Sequence, residues 1–173
     1  MSISSTTPSV IIFTGAPGSG KTTLRDAIIQ PGQVVLSTDD LYMEMYSQGG
    51  RLTYNEAFAV GDYKDVLAEF MIQMKKAVME GKDIIIDQMN ESVRKRSKHM
   101  QNVRAIRDDY RFVSIDFDVD KETVYERNRS RGPGREIPGF VLDNYYKYYE
   151  RPSKNEGFSK LWVVYADGIP HKL

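Results

Sequence analysis

Short apolar runs alternate along the chain with longer segments in which apolar residues recur every three or four positions. The runs are typical of buried strands and lie at residues 10–13, 34–36, 84–86, 112–117 and 161–165. The longer segments predict helices at residues 22–29, 63–80, 92–107, 121–131 and 138–149. Strands that are apolar on both faces and alternate with helices are typical of a parallel sheet covered on both sides. We therefore predict a three-layer α/β fold with a five-stranded parallel sheet.

Polar segments interrupt this pattern where a ligand site is expected. A parallel sheet binds ligands at the carboxyl ends of its strands. That rule selects the loop after the first strand, Asp39 and Asp40 after the second, residues 87–90 after the third and the segment after the fourth. Thr53 and Glu56 form a capping-box pattern that predicts a short helix. The glycine-bearing break Gly132–Arg135 predicts a small lid.

Composition narrows the class of protein. The 173 residues suffice for one sizeable core, so we expect a single domain over residues 1–173. No cysteine is present, which excludes disulfides and thiolate metal sites. The 24 basic and 24 acidic side chains balance, so affinity for nucleic acid would have to come from local clusters. Met1–Ser9 does not resemble a signal peptide, and no apolar run is long enough for a membrane span. We expect a cytoplasmic protein, with no membrane association and no obligatory protein partner.

Residues 15–22 complete the G-x-x-x-x-G-K-[ST] pattern of a phosphate-binding loop (P-loop), between a predicted strand and a predicted helix. Backbone N–H groups of such a loop and of the helix N-terminus attract phosphate oxygens. Lys21 is expected between the β- and γ-phosphates, and the Thr22 hydroxyl is expected to bind Mg²⁺. ATP and Mg²⁺ are the expected cofactors. The motif also specifies the predicted α/β fold as a P-loop NTPase fold. The predicted nucleotide-binding residues of this segment are Gly15, Ala16, Pro17, Gly18, Ser19, Gly20, Lys21, Thr22 and Thr23.

A triphosphate site alone is shared by kinases, GTPases and motors. The chain is small for a motor, and it has no guanine-recognition motif of the N-K-x-D type. Kinases that phosphorylate a hydroxyl benefit from a carboxylate that accepts the hydroxyl proton. Asp39 comes first after the second strand, and we predict that it is this base, with Asp40 as its competitor. The alternative is that both aspartates cap the following helix.

Among the arginines that follow the fourth strand, two are spaced so that they can act together. Arg127 and Arg131 are four residues apart and so share one face of the predicted helix. Next to a lid, they would neutralise charge on the transferring phosphoryl group, and we predict both as catalytic and nucleotide-binding. The alternative is a solvated helix face on which they pair with Glu122 and Glu126.

The sequence resembles the 5′-hydroxyl polynucleotide kinase family, within the P-loop kinases that have an adenylate-kinase-like core. The resemblance runs through the segments GAPGSGKTT, STDDLY, IIIDQMN, FDVDKETVYERNRSRG and IPGFVLDNYYKYYE. It implies that Asp39 is the general base and that Lys21 and Thr22 hold the nucleotide and its metal. It also implies that Arg127 and Arg131 contact ATP phosphates. The D-x-x-N pattern of Asp87 and Asn90 is implied to lie beside the acceptor.

One position departs from the resemblance. Members of this kinase family that are closest to its phage enzyme carry an arginine three residues after the base. This chain has Tyr42 at that position. A phenol cannot replace a bidentate guanidinium. We predict Tyr42 as a substrate residue, but its presence leaves the identity of the acceptor undetermined. Tyr42, Tyr46 and Tyr54 offer rings on which a base could stack. A basic cluster after the third strand would either follow a phosphate backbone or form a solvated helix face. It consists of Arg94, Lys95, Arg96, Lys98 and Arg104.

These observations predict an ATP-dependent kinase that transfers the γ-phosphoryl group to an alcohol. A hydroxyl of DNA or RNA is the first choice of acceptor, as in polynucleotide 5′-hydroxyl kinases. Some phage relatives phosphorylate a hydroxymethyl group on a DNA base, such as 5-hydroxymethyluridine, and that acceptor is an alternative. A small-molecule or nucleoside kinase is another. A nucleotide-binding switch without transfer activity, which would only hydrolyse ATP slowly, is a fourth.

Overall fold

The computed structural model describes residues 7–173, and most of the segment Met1–Ser9 lies outside that range. A six-stranded sheet runs through the molecule in the order β2-β3-β1-β4-β5-β6. β1 lies at its centre and pairs in parallel with β3 and β4, while β2 and β5 continue the parallel arrangement outward. The strands are β1 (Ser9–Thr14), β2 (Val34–Leu36), β3 (Ile84–Ile86), β4 (Arg111–Phe117), β5 (Lys160–Val164) and β6 (Pro170–Lys172).

The predicted α/β fold with five parallel strands is confirmed, and the structure adds a sixth strand. β6 pairs antiparallel with β5, for example Val163 with His171, and its three residues are exposed. The sequence pattern did not indicate β6, because an exposed strand that begins with proline contains no apolar run.

Seven α-helices in the described part of the chain pack around the sheet. They are α1 (Lys21–Ile28), α2 (Thr38–Tyr46), α3 (Tyr54–Val60), α4 (Tyr63–Met79), α5 (Val93–Arg104), α6 (Lys121–Arg129) and α7 (Gly139–Tyr148). A 3₁₀ turn at Lys154–Glu156 precedes β5. The capping box at Thr53 and Glu56 is present at the start of α3, as predicted. α2 was not predicted as an element, because its nine residues mix polar and apolar positions without a clear period.

The core has a part on each face of the sheet. On one face, α2, α4 and α5 pack on β1, β2 and β3, with Phe70, Met74 and Met100 fully enclosed. On the other face, α1 packs on Phe13, Phe117 and neighbouring residues. A third cluster joins α6 and α7 over the P-loop residue Ala16, so these helices lie above the carboxyl edge of the sheet. Within residues 7–173, no helix has the length and apolar character needed to cross a membrane.

Candidate active site

The P-loop adopts a conformation that depends on its glycines. Gly18 and Gly20 have φ angles of 88° and 103°, in the left-handed region that favours glycine. A Cβ atom on Gly15 would lie 2.6 Å from Ser19 Oγ and 2.8 Å from Phe117 Cβ, so a side chain has no room there. α1 begins directly after the loop, and Gly20 supplies no side-chain cap to its N-terminus. The first N–H groups of α1 therefore remain available to an anion.

Lys21 closes the loop from inside. Its Nζ donates hydrogen bonds to the carbonyl oxygens of Gly15 and Ala16, both at 2.8 Å. Burial lowers the pKa of Lys21, and the nearby carboxylates of Asp87 and Asp39 act in the opposite direction. Phosphate oxygens would add a negative partner in direct contact with this ammonium group. The residues therefore fit a nucleotide phosphate.

Two hydroxyl groups of the loop region also fit a nucleotide and its metal. Ser19 Oγ is buried and has no hydrogen-bond partner among the described residues, so it fits a phosphate oxygen. Thr22 and Thr23 lie exposed in the first turn of α1. The Thr22 hydroxyl, next to Lys21, is the metal ligand that the motif predicts.

Asp39 and Asp40 have opposite surroundings, although they are neighbours in the first turn of α2. The helix cap is Ser37, whose Oγ accepts a hydrogen bond from the backbone N–H of Asp40 at 3.2 Å. The alternative in which both aspartates cap the helix is therefore wrong. Asp40 Oδ2 forms an ion pair with Arg25 at 2.7 Å. Asp39 Oδ2 instead accepts a hydrogen bond from the Tyr54 hydroxyl at 3.2 Å.

The Asp39 carboxylate lies at the mouth of the site, where solvent reaches it although protein surrounds it on most sides. Desolvation raises its pKa, while the positive charge of Lys21 and the Tyr54 hydrogen bond oppose that effect. A carboxylate with a raised pKa is, once ionised, a better proton acceptor than a fully solvated one. Asp39 thus has the environment of a general base.

Arg25 connects three parts of the site, although it was not predicted as a site residue. Its guanidinium bonds Asp40 at 2.7 Å, Asp87 at 3.0 Å and Asp26 at 2.9 Å. Asp87 is buried at the end of β3; burial raises its pKa, and the charges of Lys21 and Arg25 oppose this. The spacing in the sequence could have indicated Arg25, because a residue four positions after Lys21 lies on the same face of α1.

Both predicted arginines lie beside the P-loop. Arg127 donates to the carbonyl oxygens of Gly18 at 3.3 Å and Ala166 at 2.8 Å, rather than pairing with an acid on its own helix. Arg131 is exposed just after α6, and its Nη2 lies 3.9 Å from the place where a Cβ of Gly18 would be. The charge of Arg131 acts on Lys21 and on Asp39.

The predicted lid, Gly132–Arg135, lies in the segment between α6 and α7, and residues 130–138 are called the lid from here on. Its far end is fixed, because the Asn128 amide bonds the backbone of Ile137 through both the carbonyl oxygen (2.8 Å) and the N–H (2.9 Å). Its middle contacts the start of α3. There the N–H of Asn55 donates to Gly134 O at 3.1 Å, and the Asn55 amide donates to Glu136 O at 3.3 Å.

Two predicted substrate residues have structural roles instead. Tyr42 is only 5% exposed, and its ring stacks on Phe58 with centroids 3.9 Å apart, so it offers no face to a ligand. Asn90 is 2% exposed; its amide donates to Phe13 O at 2.8 Å, and its Oδ1 lies 3.1 Å from His99 Nε2. Both polar ends of the Asn90 amide are therefore used inside the protein. These internal contacts argue against a direct contact of either side chain with the acceptor.

The basic cluster of α5 does not form a continuous surface. Arg96 is fully buried and bonds Glu156 with Nε at 2.8 Å and Nη2 at 2.9 Å. Lys95 pairs with Glu91 at 2.7 Å, and the Arg104 guanidinium lies 4.9 Å from the centre of the Phe112 ring. Of the five basic side chains, Arg94 and Lys98 remain as exposed groups without these attachments. A tract that follows a phosphate backbone is therefore not formed by α5 alone.

The fold and the loop define a P-loop protein with a kinase-like α/β core. A family model described as an AAA domain matches residues 10–152, and the chain belongs to this family. No curated protein matches the sequence significantly. Membership in a P-loop family implies that the chain binds a nucleotide.

Solved structures share this fold. A putative kinase from Chloroflexus aurantiacus is 23% identical, with a TM-score of 0.65 over 92% of this chain and 89% of that chain. A gluconokinase from Sinorhizobium meliloti is 16% identical, with a TM-score of 0.56 over 92% and 83%. A chain of the Pnkp1/Rnl/Hen1 RNA repair complex is 19% identical, with a TM-score of 0.61 over 86% of this chain and 46% of that chain. At these identities the likeness shows a common fold.

Proposed function

We propose that this chain is an ATP- and Mg²⁺-dependent kinase that phosphorylates a hydroxyl group, and that residues 1–173 act as one domain. One observation carries the proposal. Asp39 stands at the carboxyl end of β2, neither capping α2 nor held in an ion pair, within electrostatic reach of Lys21. Asp40 is engaged by Arg25 and is not available for the same task. A kinase that phosphorylates a phosphate would have no use for such a base, because its acceptor carries no proton to remove.

Each residue then has a defined task. Asp39 accepts the proton of the acceptor hydroxyl as the acceptor oxygen attacks the γ-phosphorus and the bond to the leaving ADP oxygen breaks. Lys21 and the loop N–H groups hold the β- and γ-phosphates, and Thr22 holds the metal. Bound Mg²⁺ would neutralise charge that develops on the phosphate oxygens. The Arg131 guanidinium faces the same region from the lid and stabilises the transferring group.

A hydroxyl on DNA or RNA, in the manner of polynucleotide 5′-hydroxyl kinases, is the acceptor that we propose first. The support is the resemblance in five segments, three of which supply Lys21, Asp39 and Arg131 around one cleft. The RNA repair complex among the similar structures is compatible with this acceptor through its name alone.

A small hydroxyl compound is the second candidate, and one observation favours it. Arg96 is buried against Glu156 and Tyr42 is stacked in the core, so two side chains expected to meet a nucleic acid do not reach the surface. A hydroxymethyl group on a DNA base, as in 5-hydroxymethyluridine, combines a small acceptor with a polymer and is the third acceptor to test.

The test offers γ-labelled ATP with four acceptors: 5′-hydroxyl oligonucleotides, duplex DNA with hydroxymethylated bases, nucleosides and small polyols. We expect label on one of these classes with the wild-type chain and labelling that is slower by roughly 10²–10⁴ with Asp39→Asn. Label on small molecules only would overturn the nucleic-acid proposal. Slow ATP hydrolysis that none of the four stimulates would overturn the kinase proposal and leave a nucleotide switch.

A further inference from the structure

The hydroxyl of Tyr54 is the hydrogen-bond donor that holds Asp39. The donor oxygen lies 3.2 Å from Asp39 Oδ2, and the two residues are 15 positions apart, on different helices. Burial beside Asp39 raises the pKa of the Tyr54 hydroxyl, so this group keeps its proton and can only donate to the carboxylate. A donated hydrogen bond stabilises the charged form of Asp39 and fixes its orientation.

Aromatic packing fixes the position of that hydroxyl. The Tyr54 ring lies 4.4 Å from the ring of Phe58, which stacks at 3.9 Å on the buried ring of Tyr42. Tyr42 belongs to α2, the helix that also carries Asp39. The ring stack and the hydroxyl contact thus connect α2 and α3 at two points. Truncating only the hydroxyl would leave the stack in place.

The same turn of α3 holds the lid. Asn55 donates from its backbone to Gly134 O and from its side chain to Glu136 O. Thr53 lies in contact with Gly134, because a Cβ there would be 3.1 Å from Thr53 Cβ. The residues on both sides of Tyr54 therefore contact the lid, while Tyr54 itself contacts the base.

We propose that Tyr54 is a positioning residue, which orients the Asp39 carboxylate for proton transfer, and that residues 53–55 couple this orientation to the docked position of the lid. The proposal rests on the kinase function given above. Besides Tyr54, the titratable and charged groups that act on Asp39 are Lys21, Asp40 and Arg131, with Asp87 close by. These groups are unchanged in the variants described next.

The decisive variant is Tyr54→Phe, which removes one oxygen and keeps the ring. The lost hydrogen bond favoured the charged carboxylate, so the pKa of Asp39 rises in this variant. The pH at which kcat falls on the acid side is then expected to increase by about one unit. Less exact placement of the base lowers kcat about tenfold, with KM for ATP unchanged. The matched control is Tyr46→Phe, whose hydroxyl bonds Asp65 at the same 3.2 Å but away from Asp39. A Tyr54→Phe profile that overlays the Tyr46→Phe profile would overturn the proposal.

Coupling to the lid is measured with Asn55→Ala and the double variant. We expect Asn55→Ala to lower kcat and the double variant to lose less than the product of the two single effects, because both act on one element. Asn144→Ala, at an exposed position of α7, is the control. Multiplicative effects would overturn the coupling and leave Tyr54 acting alone.

A second readout separates this proposal from the kinase function itself. The ¹³C carboxyl signal of Asp39, assigned with Asp39→Asn, is titrated in wild type, Tyr54→Phe and Tyr46→Phe without substrate. A higher Asp39 pKa in Tyr54→Phe alone supports the positioning role even if no acceptor is found, and an unchanged pKa refutes it even if the enzyme is a kinase.

Discussion

The two halves of the candidate site are built in different ways. The phosphate half comes from one continuous stretch, residues 15–22, and relies on backbone geometry at Gly15, Gly18 and Gly20. The acceptor half is assembled from side chains that are distant in sequence. Asp39 contacts Tyr54, and Arg25 contacts Asp87, which lies 62 positions further along the chain. A backbone cradle tolerates change at most side chains, whereas an assembly of side chains can be altered one contact at a time. Nucleotide binding and choice of acceptor should therefore respond to different mutations.

Replacement of Asp39 should impair the acceptor half most strongly and leave the phosphate half intact. Asp39→Asn is expected to lower the rate of phosphoryl transfer by roughly 10²–10⁴, or about 3–5 kcal/mol of barrier, with ATP affinity nearly unchanged. Asp40→Asn is the matched control, since Asp40 only pairs with Arg25, and less than about a threefold loss is expected from an exposed ion pair. The measurements are single-turnover transfer rates and ATP binding by calorimetry. A larger loss in Asp40→Asn than in Asp39→Asn would assign the base to Asp40.

Replacing Arg131 and replacing Arg127 should have different effects, one on the transfer step and one on ATP binding. Arg131→Ala is expected to lower kcat by roughly 10²–10³, because a charge aimed at the transferring group is lost. Arg127→Ala should chiefly raise KM for ATP, because Arg127 braces Gly18 and Ala166. Steady-state kinetics with varied ATP separates the two effects. Identical changes in kcat and KM for both variants would contradict this division.

A change at Gly15 should damage the phosphate half alone. Gly15→Ala places a methyl group against Ser19 Oγ and Phe117, so the loop must shift, and we expect roughly a tenfold weaker ATP affinity, about 1.4 kcal/mol. Gly139→Ala is the control, because the nearest atom to its Cβ would be Tyr125 Oη at an ordinary 3.6 Å. Calorimetric ATP titration checks both variants. Unchanged ATP affinity in Gly15→Ala would show that the cradle adapts.

The dependence of kcat on pH gives the smallest effect and tests the acceptor half with Asp39 in place. Desolvation raises the pKa of Asp39 above the ordinary value of about 3.9. Because the base must be deprotonated, kcat is expected to fall as the pH drops through that raised pKa. Asp116 is a second candidate for the titrating group, since burial raises its pKa to about 6. If the fall of kcat at low pH disappears in Asp116→Asn, the titrating group is Asp116 and not Asp39.

The phosphate half could be predicted from the sequence because its geometry is local. The order of glycines and the flanking strand and helix determine where Lys21 and Thr22 lie, and the structure has them at the start of α1. Five of the six strands were also predicted, since each is a continuous buried run.

The acceptor half was predicted only in part, for a physical reason. Asp39 could be located at a strand end, but its distinction from Asp40 depends on Arg25 and Tyr54, which approach through tertiary packing. Asn90 has the residue type of a ligand contact, and only burial reveals that its amide is used internally. Residue type and spacing do not reveal which polar groups already have a partner.

The buried pair of Arg96 and Glu156 has a consequence for genetic screens. Replacing either residue alone strands a charge in the interior, at a cost of about 3–5 kcal/mol. A screen for inactive variants would score Arg96 beside Asp39 and invite the interpretation that both touch the substrate. Thermal melts would tell them apart, since an Arg96→Ala chain loses its native packing while an Asp39→Asn chain melts normally. The most basic helix of this protein, α5, is thus the place where a loss of activity says least about what the protein binds.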